Sequence, residues 1–167
     1  MFNEVEPVKP KLPVTATAVQ EAEAEEICRW AAARAGVIVI APAVGTVALV
    51  ANEVYMIVKI GEVYGVKINE TAAAGFLMAL GAAFVGQTLA TLIPFAPMQI
   101  PIGVGVTYGV GKVAQEWIKA GMPEDVGGLK EKFDETRKLA KQQIRQMVEN
   151  PLKNQALGDE KREFRIR

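Results

Sequence analysis

Few residues of this 167-residue chain are of a type and spacing that could do chemistry. They are the single cysteine Cys28, the carboxylate pairs Glu23/Glu26 and Glu53/Glu62, an isolated Gln87, and a glycine run from Gly103 to Lys112. Histidine is absent, which removes Ser-His-Asp and Cys-His catalysis and His-ligated zinc, and a lone cysteine permits no internal disulfide. Gly111-Lys112 invites a phosphate-loop reading, but that loop needs glycine at 106 and Ser or Thr at 113, where this chain has Val106 and Val113. Gly103-Val-Gly105 fails the dinucleotide fingerprint because Tyr108 stands where the third glycine must allow close packing. The carboxylate pairs lack the histidines a di-iron bundle would place beside them and read as solvated helix faces. Cys28 reads as a passive buried thiol, with S-acylation the lesser alternative, and Gln87 as an interhelical hydrogen-bonder. We expect no enzyme, no cofactor and no metal.

The glycines have a better use in packing. Gly105 and Gly109 form a GxxxG pair, and Gly75, Gly81 and Gly86 put small residues on a facing arm, so helices could approach to backbone contact, closing a hairpin or self-associating as a homo-oligomer.

The elements that would position these residues follow from where the charges are absent. Lys plus Arg balances Asp plus Glu at 19 each, which gives no reason to expect nucleic acid as a partner. Half the residues are hydrophobic but only 7% aromatic, a composition that favours close-packed helices. Residues 35–52 carry no charge, and neither do residues 71–111. Pro94-Phe95-Ala96-Pro97 divides the longer run, predicting an apolar helical hairpin with its tip near Pro94, its first arm at 71–93 and its second from Met98. The first arm is long enough to cross a bilayer, and Trp30 and Trp117 flank the apolar blocks as interfacial aromatics do. The competing reading is a buried central helix of a bundle, which is also apolar all round.

Along the chain, 1–13 reads as a Pro-rich flexible arm without the apolar core of a signal peptide, and 14–121 as a hydrophobic helical domain. Thr15 or Thr17 caps a first helix, which Gly36 or Pro42 ends or kinks. A second is expected over Gly45–Val63, with Val47, Val50, Val54, Ile57, Val58 and Gly61 along one side. Gly65 supplies its left-handed cap, and Asn69 caps the next helix. Gly121-Met122-Pro123 breaks the chain before an amphipathic helix within 122–150. Its stripe is Leu129, Phe133, Thr136, Ala140, Ile144 and Met147, and its polar face carries Lys130, Lys132, Arg137, Lys138, Lys141 and Arg145. A basic polar tail at 151–167 reads as flexible. From Lys112 onward the chain is mildly basic, which by the positive-inside tendency places the C-terminal region in the cytoplasm against a bacterial inner or internal membrane. The amphipathic helix, through Leu129, Phe133, Ile144, Lys138 and Lys141, would lie on the membrane surface or engage a partner; the commoner outcome for such helices is packing on their own domain.

Several local patterns line up over residues 33–121. They are Ile40-Ala41-Pro42 before a helix, Met56-Ile57-Val58-Lys59-Ile60-Gly61-Glu62-Val63-Tyr64-Gly65-Val66-Lys67, the Ala/Gly-rich arm ending Leu92-Ile93-Pro94, and Ile100-Pro101-Ile102-Gly103-Val104-Gly105 leading to Thr107-Tyr108-Gly109-Val110-Gly111-Lys112. In these the chain resembles the hydrophobic GTPase-associated domain of unknown function, family 697, the membrane part of YcjF-type bacterial proteins. Tyr64, Gly65 and Lys67 are the most specific piece. The resemblance implies a small α-helical membrane-associated module without established activity, working with a P-loop GTPase, which here would be supplied in trans. At 41–45 the chain has Ala-Pro-Ala-Val-Gly where the family often has Pro-Ile-Pro with a following Asp.

The expectation is therefore an all-α, non-enzymatic, membrane-associated structural or adaptor protein. Its partners would be membrane lipid, further copies of itself and a GTPase, with no nucleic acid. Two other readings stay open: a protein that inserts into membranes or forms pores from a soluble state, and a soluble helical bundle that binds lipid or another apolar ligand.

Overall fold

The computed structural model describes residues 12–40, 45–83 and 96–158, without the side chains of 45–46, 82–83 and 96–99. The described chain is all-α, with five α-helices and no strand: α1 (Ala18–Ile38), α2 (Gly45–Val63), α3 (Glu70–Ala83), α4 (Ala96–Lys119) and α5 (Leu129–Val148), followed by a 3₁₀ turn at Pro151–Asn154. The expected hairpin tip at Pro94-Phe95, together with Gly86, Gln87 and most of the flexible arm, lies outside the described residues.

Local chemistry accounts for the helix ends. Thr17, not Thr15, caps α1 in a reciprocal box: its hydroxyl accepts from the Gln20 amide at 3.2 Å, and the Gln20 side chain accepts from the Thr17 amide at 2.9 Å. Gly36 does not end α1, because the helix needs it for a close approach. A Cβ there would stand 2.9 Å from Cγ2 of Val104 on α4. At the end of α2, Gly65 has φ +71°, Val66 N–H bonds back to Gly61 and Gly65 N–H to Glu62, the double bond of a Schellman cap. Asn69 then caps α3 by accepting from the Ala72 amide at 2.7 Å. α4 starts inside the Pro94–Pro97 break, so Ala96 and Pro97 belong to its first turn, where a missing N–H removes no helical bond. Beyond α4 the chain reverses through Gly121 and Met122, both at positive φ.

α1 runs antiparallel to both α2 and α4. Gln20 donates to the Val63 carbonyl and Asn52 to the Ala31 carbonyl, while Glu21 pairs with Lys119 and Glu25 with Lys112. α5 is antiparallel to α4 in turn, with Phe133 against Gly109 and Arg137 beside Gly105. Successive faces of α4 are thereby covered by α1, α2 and α5, and Val104, Thr107, Tyr108, Val110, Val113, Ala114, Gln115, Trp117 and Ile118 are buried. Burial within the bundle accounts for the apolar character of 103–111. No helix among the described residues is long and apolar enough to cross a membrane. α3 is described for 14 residues, roughly 21 Å at 1.5 Å per residue.

Three expectations about faces are corrected by the packing. On α2 the buried side is Ala51, Asn52, Val54, Met56, Ile57, Ile60 and Gly61, whereas Val47 and Val50 are 64% and 39% exposed. The start of α2 extends beyond the bundle that covers its second half. Neither tryptophan is left as an interfacial anchor. Trp117 stacks on Phe76 at 4.4 Å between ring centroids and donates to the Pro123 carbonyl, and the Trp30 indole donates to the carbonyls of Leu152 and Gln155 at 2.7 and 3.2 Å. The first part of the expected flexible tail is docked through those bonds. Leu157 is buried in the core, and Gly158 lies where a Cβ would come within 2.7 Å of the Tyr55 ring.

Candidate functional site

The strongest polar arrangement is a seam along α1 and α4 at one end of the bundle. Glu25, one turn past Glu21, accepts from the Tyr108 hydroxyl at 2.5 Å, from Lys112 Nζ at 2.9 Å and from Arg29 Nε at 3.0 Å. Arg29 also donates to Gln143 at 2.7 Å, which brings α5 into the same cluster. Glu21 accepts from Lys119 at 2.9 Å and from the Tyr64 hydroxyl at 3.2 Å, and Gln115 links Tyr64 and Lys112 to Cys28.

The electrostatics describe a tie between helices. Burial pushes the Glu25 carboxyl up, but the bonds from Tyr108, Lys112 and Arg29 outweigh it and leave the group below its ordinary range. Glu21 behaves likewise, its desolvation overcome chiefly by Lys119. Burial first, then the adjoining carboxylates, holds both Tyr64 and Tyr108 in their neutral donor form. Burial pushes the Cys28 thiol up to about 12, despite the Gln115 amide that donates to its sulfur at 3.0 Å. A buried, protonated thiol is a poor nucleophile and is closed to acylation in the folded chain. Each group of the seam is engaged with its neighbours, so the arrangement joins α1, α2, α4 and α5 and leaves no activated nucleophile. No three His, Cys, Asp or Glu side chains among the described residues are grouped to hold a metal ion.

A second polar contact lies between α2 and α4. Thr107 donates to Glu53 Oε1 at 3.2 Å, and burial pushes this half-buried carboxyl up to about 7 against the lowering effect of that bond. Glu53 is therefore not the solvated helix-face acid expected of it, while Glu23, Glu26 and Glu62 are exposed as such acids are.

The opposite end of the bundle is apolar and partly open. Val37 and Ile40 at the end of α1 and Val47 and Val50 at the start of α2 are large hydrophobics left exposed there. On α3, Met78 is 72% exposed between Gly75 and Gly81, both exposed with nothing within 4 Å of a Cβ built on them.

The glycines expected to face one another thus do not. Gly105 and Gly109 turn to α5, where a Cβ on Gly109 would meet the Phe133 ring at 2.9 Å and one on Gly105 the Arg137 side chain at 3.8 Å. Gly75 and Gly81 point away, and Gly86 lies outside the described residues. The glycine spacing marks close approach, but it does not say which helix approaches. Of the resemblance residues, Tyr64 joins the polar seam, Gly65 serves backbone geometry and Lys67 is exposed. The stripe of α5 is turned inward: Phe133, Thr136, Ala140 and Met147 are buried, with Leu129 and Ile144 partly so, which leaves Lys138, Lys141 and Leu139 outward. That apolar stripe is used within the domain and is not offered to a partner helix or lipid.

Sequence reasoning missed Glu21, Glu25, Tyr108, Lys112, Gln115 and Lys119 as a group. The available signal was the spacing of four between Glu21 and Glu25, which puts both on one helix face.

Comparison of the chain with protein-family models, with curated proteins and with solved structures returns no match to any of them.

Proposed function

We propose that the protein is a non-enzymatic, membrane-associated structural or adaptor protein that holds to lipid by the uncharged end of its bundle. The observation that carries this reading is the exposure of Val37, Ile40, Val47 and Val50 together at the end opposite the ion-paired seam. Four aliphatic side chains brought to one end by two helices, within a stretch that has no charge from 35 to 52, form the kind of patch that marks an interaction site. Self-association is assigned to the outer face of α3, where Gly75, Met78 and Gly81 are open to close approach by a second copy. A protein partner would meet the outward face of α5, with Lys138, Leu139 and Lys141. The resemblance to family 697 adds a GTPase supplied in trans as the kind of partner, with the C-terminal region on the cytoplasmic side of the membrane.

An alkaline-carbonate wash of membranes from cells expressing the untagged protein, followed by sizing, tests this. Retention of the protein in the pellet, lost in a variant carrying Ile40→Glu and Val47→Glu, supports the reading. Complete release as a detergent-free particle overturns it, and lipid co-purifying with that particle would favour an apolar-ligand carrier.

One observation favours a second reading, a protein that inserts into bilayers from a sheltered state. Residues 103–111 of α4, all uncharged, are enclosed by α1, α2 and the amphipathic α5, as a segment stored for insertion would be. Dye release from liposomes, abolished by a charge at Ala82, would select it over a static anchor.

A further inference from the structure

Pro7, Pro10 and Pro13 recur at steps of three before the first helix. Proline fixes its own φ close to the polyproline II value, and its ring biases the residue before it to the same extended region. Glu6, Pro7, Lys9, Pro10, Leu12 and Pro13 are all restricted in this way by local sterics alone. Polyproline II has three residues per turn, so in that conformation the three prolines line one edge. A second edge carries Glu6, Lys9, Leu12 and Thr15, and the third carries Val8, Lys11 and Val14.

The described residues at the end of this stretch sort by the same period. Val14 is turned to the body: it is partly buried against the core and donates its N–H to the Lys119 carbonyl at 2.9 Å. Leu12, Pro13 and Thr15, on the other two edges, are exposed, and Leu12 at 86% is the most exposed large hydrophobic among the described residues. Thr17, which caps α1, has φ −80° and ψ 161°, close to the polyproline II backbone. The base of the arm is thus fixed where α1 starts and α4 stops, with the proline edge and the Leu12 edge outward.

We propose that the segment from Pro7 to Pro13 docks, as a polyproline II ligand, in the aromatic-lined groove of a partner protein domain, which takes the edge of Pro7, Pro10 and Pro13 together with Leu12. A backbone restricted at six of the eight positions from 6 to 13 loses little further entropy on docking, which is the advantage such grooves exploit. This rests on the adaptor reading above and adds a second docking element with the chemistry of its partner. The position of the arm suits an adaptor. α1 has 21 residues, roughly 31 Å at 1.5 Å per residue, and separates the base of the arm from the exposed Val37 and Ile40 at the other end of the bundle. A protein held to lipid by that uncharged end presents the arm on the side away from the surface.

The test is nuclear magnetic resonance titration of isotope-labelled SH3 and WW domains, as polyproline-reading probes, with the unlabelled full chain. Saturable shifts at the aromatic groove of at least one domain are expected, and Pro10→Ala should weaken that binding roughly tenfold. Leu12→Ala should weaken it in the same direction, whereas Lys11→Ala, on the edge that Val14 turns to the body, should change it by no more than about twofold. All three positions precede the first helix, and circular dichroism establishes that the bundle is unchanged. Absence of shifts with every domain, or equal affinity for Pro10→Ala and the natural protein, overturns the docking segment. Equal losses for Lys11→Ala and Leu12→Ala overturn it as well, because the contact would then not follow the edges. Each of these failures leaves the adaptor reading standing, since that reading is judged by retention in the carbonate wash.

Discussion

The ring of Phe133 on α5 occupies the space that any side chain larger than hydrogen at Gly109 on α4 would need, with Cε2 at 2.9 Å from the position of a Cβ. The glycine is thus a seat for one aromatic side chain, and α5 is fixed to α4 at that point.

Gly109→Ala should therefore destabilise the fold by about 1–3 kcal/mol through overpacking. Gly75→Ala or Gly81→Ala, on the open face of α3, should raise stability by about 0.5–1 kcal/mol, because alanine loses less chain entropy in a helix. Urea denaturation of the three variants distinguishes packing glycines from permissive ones. A loss of stability at Gly75 comparable with that at Gly109 would contradict the assignment.

Gly111 faces Cys28, whose sulfur would lie 2.6 Å from an added Cβ, with Met56 Sδ at 2.9 Å. Gly111→Ala alone should cost about 1–3 kcal/mol. Combined with Cys28→Ala, which removes the obstructing sulfur, the loss should be smaller than the sum of the two single losses. A double-mutant cycle measures the coupling, and strict additivity would mean that the two residues do not compete for the same space.

Glu25→Gln preserves shape but removes the charge that Tyr108, Lys112 and Arg29 share, and should cost about 1–3 kcal/mol at neutral pH. A carboxyl whose folded value lies below its unfolded one contributes stability that is present above the unfolded value and lost as the pH falls through the folded one. The natural protein should accordingly lose stability in acid below about pH 4.5, and Glu25→Gln should lack that part of the loss. Denaturant midpoints from pH 3 to pH 7 provide the check.

Glu53 acts with the opposite sign. Its folded value, about 7, lies above the ordinary 4.5, so the folded chain holds the proton more tightly than the unfolded one. The stability this contributes is complete below about 4.5 and lost as the pH rises to about 7. Glu53→Gln should flatten the profile in that window. An unchanged slope there would place the titration on another group.

Leu157→Ala should cost about 2 kcal/mol, and Trp30→Phe, which leaves the Leu152 carbonyl with the Gln155 amide alone and takes the indole donor from the Gln155 carbonyl, about 1 kcal/mol. Both should expose the segment after α5, which limited trypsin digestion reads as faster cleavage at Lys153. Unchanged digestion would mean that the segment is held by other contacts.

What was legible in the sequence is what depends on neighbours in the chain. The bounds of α2, the Gly65 and Asn69 caps and the buried stripe of α5 follow from propensity, cap chemistry and period, and the structure has them. Glu25 with Lys112 and Glu21 with Lys119 are separated by 87 and 98 residues, and no local pattern encodes such a pairing. Val47 and Val50 were misread for a related reason. Periodicity places them beside Val54, but whether a neighbouring helix reaches that turn is a matter of tertiary length. For α4, apolarity alone could not separate lipid from the enclosure that α1, α2 and α5 provide.

The antiparallel match of α1 with α4 also has a consequence in time. A ribosome adding about 5–20 residues per second reaches Lys112 roughly 4–17 seconds after Glu25, and α5 emerges later still. During that interval α1 can pair with α2 alone, and its carboxylates have no cations from α4. Glu21 and Glu25 are therefore solvated charges on the unfinished protein before they become the ties that fasten α4.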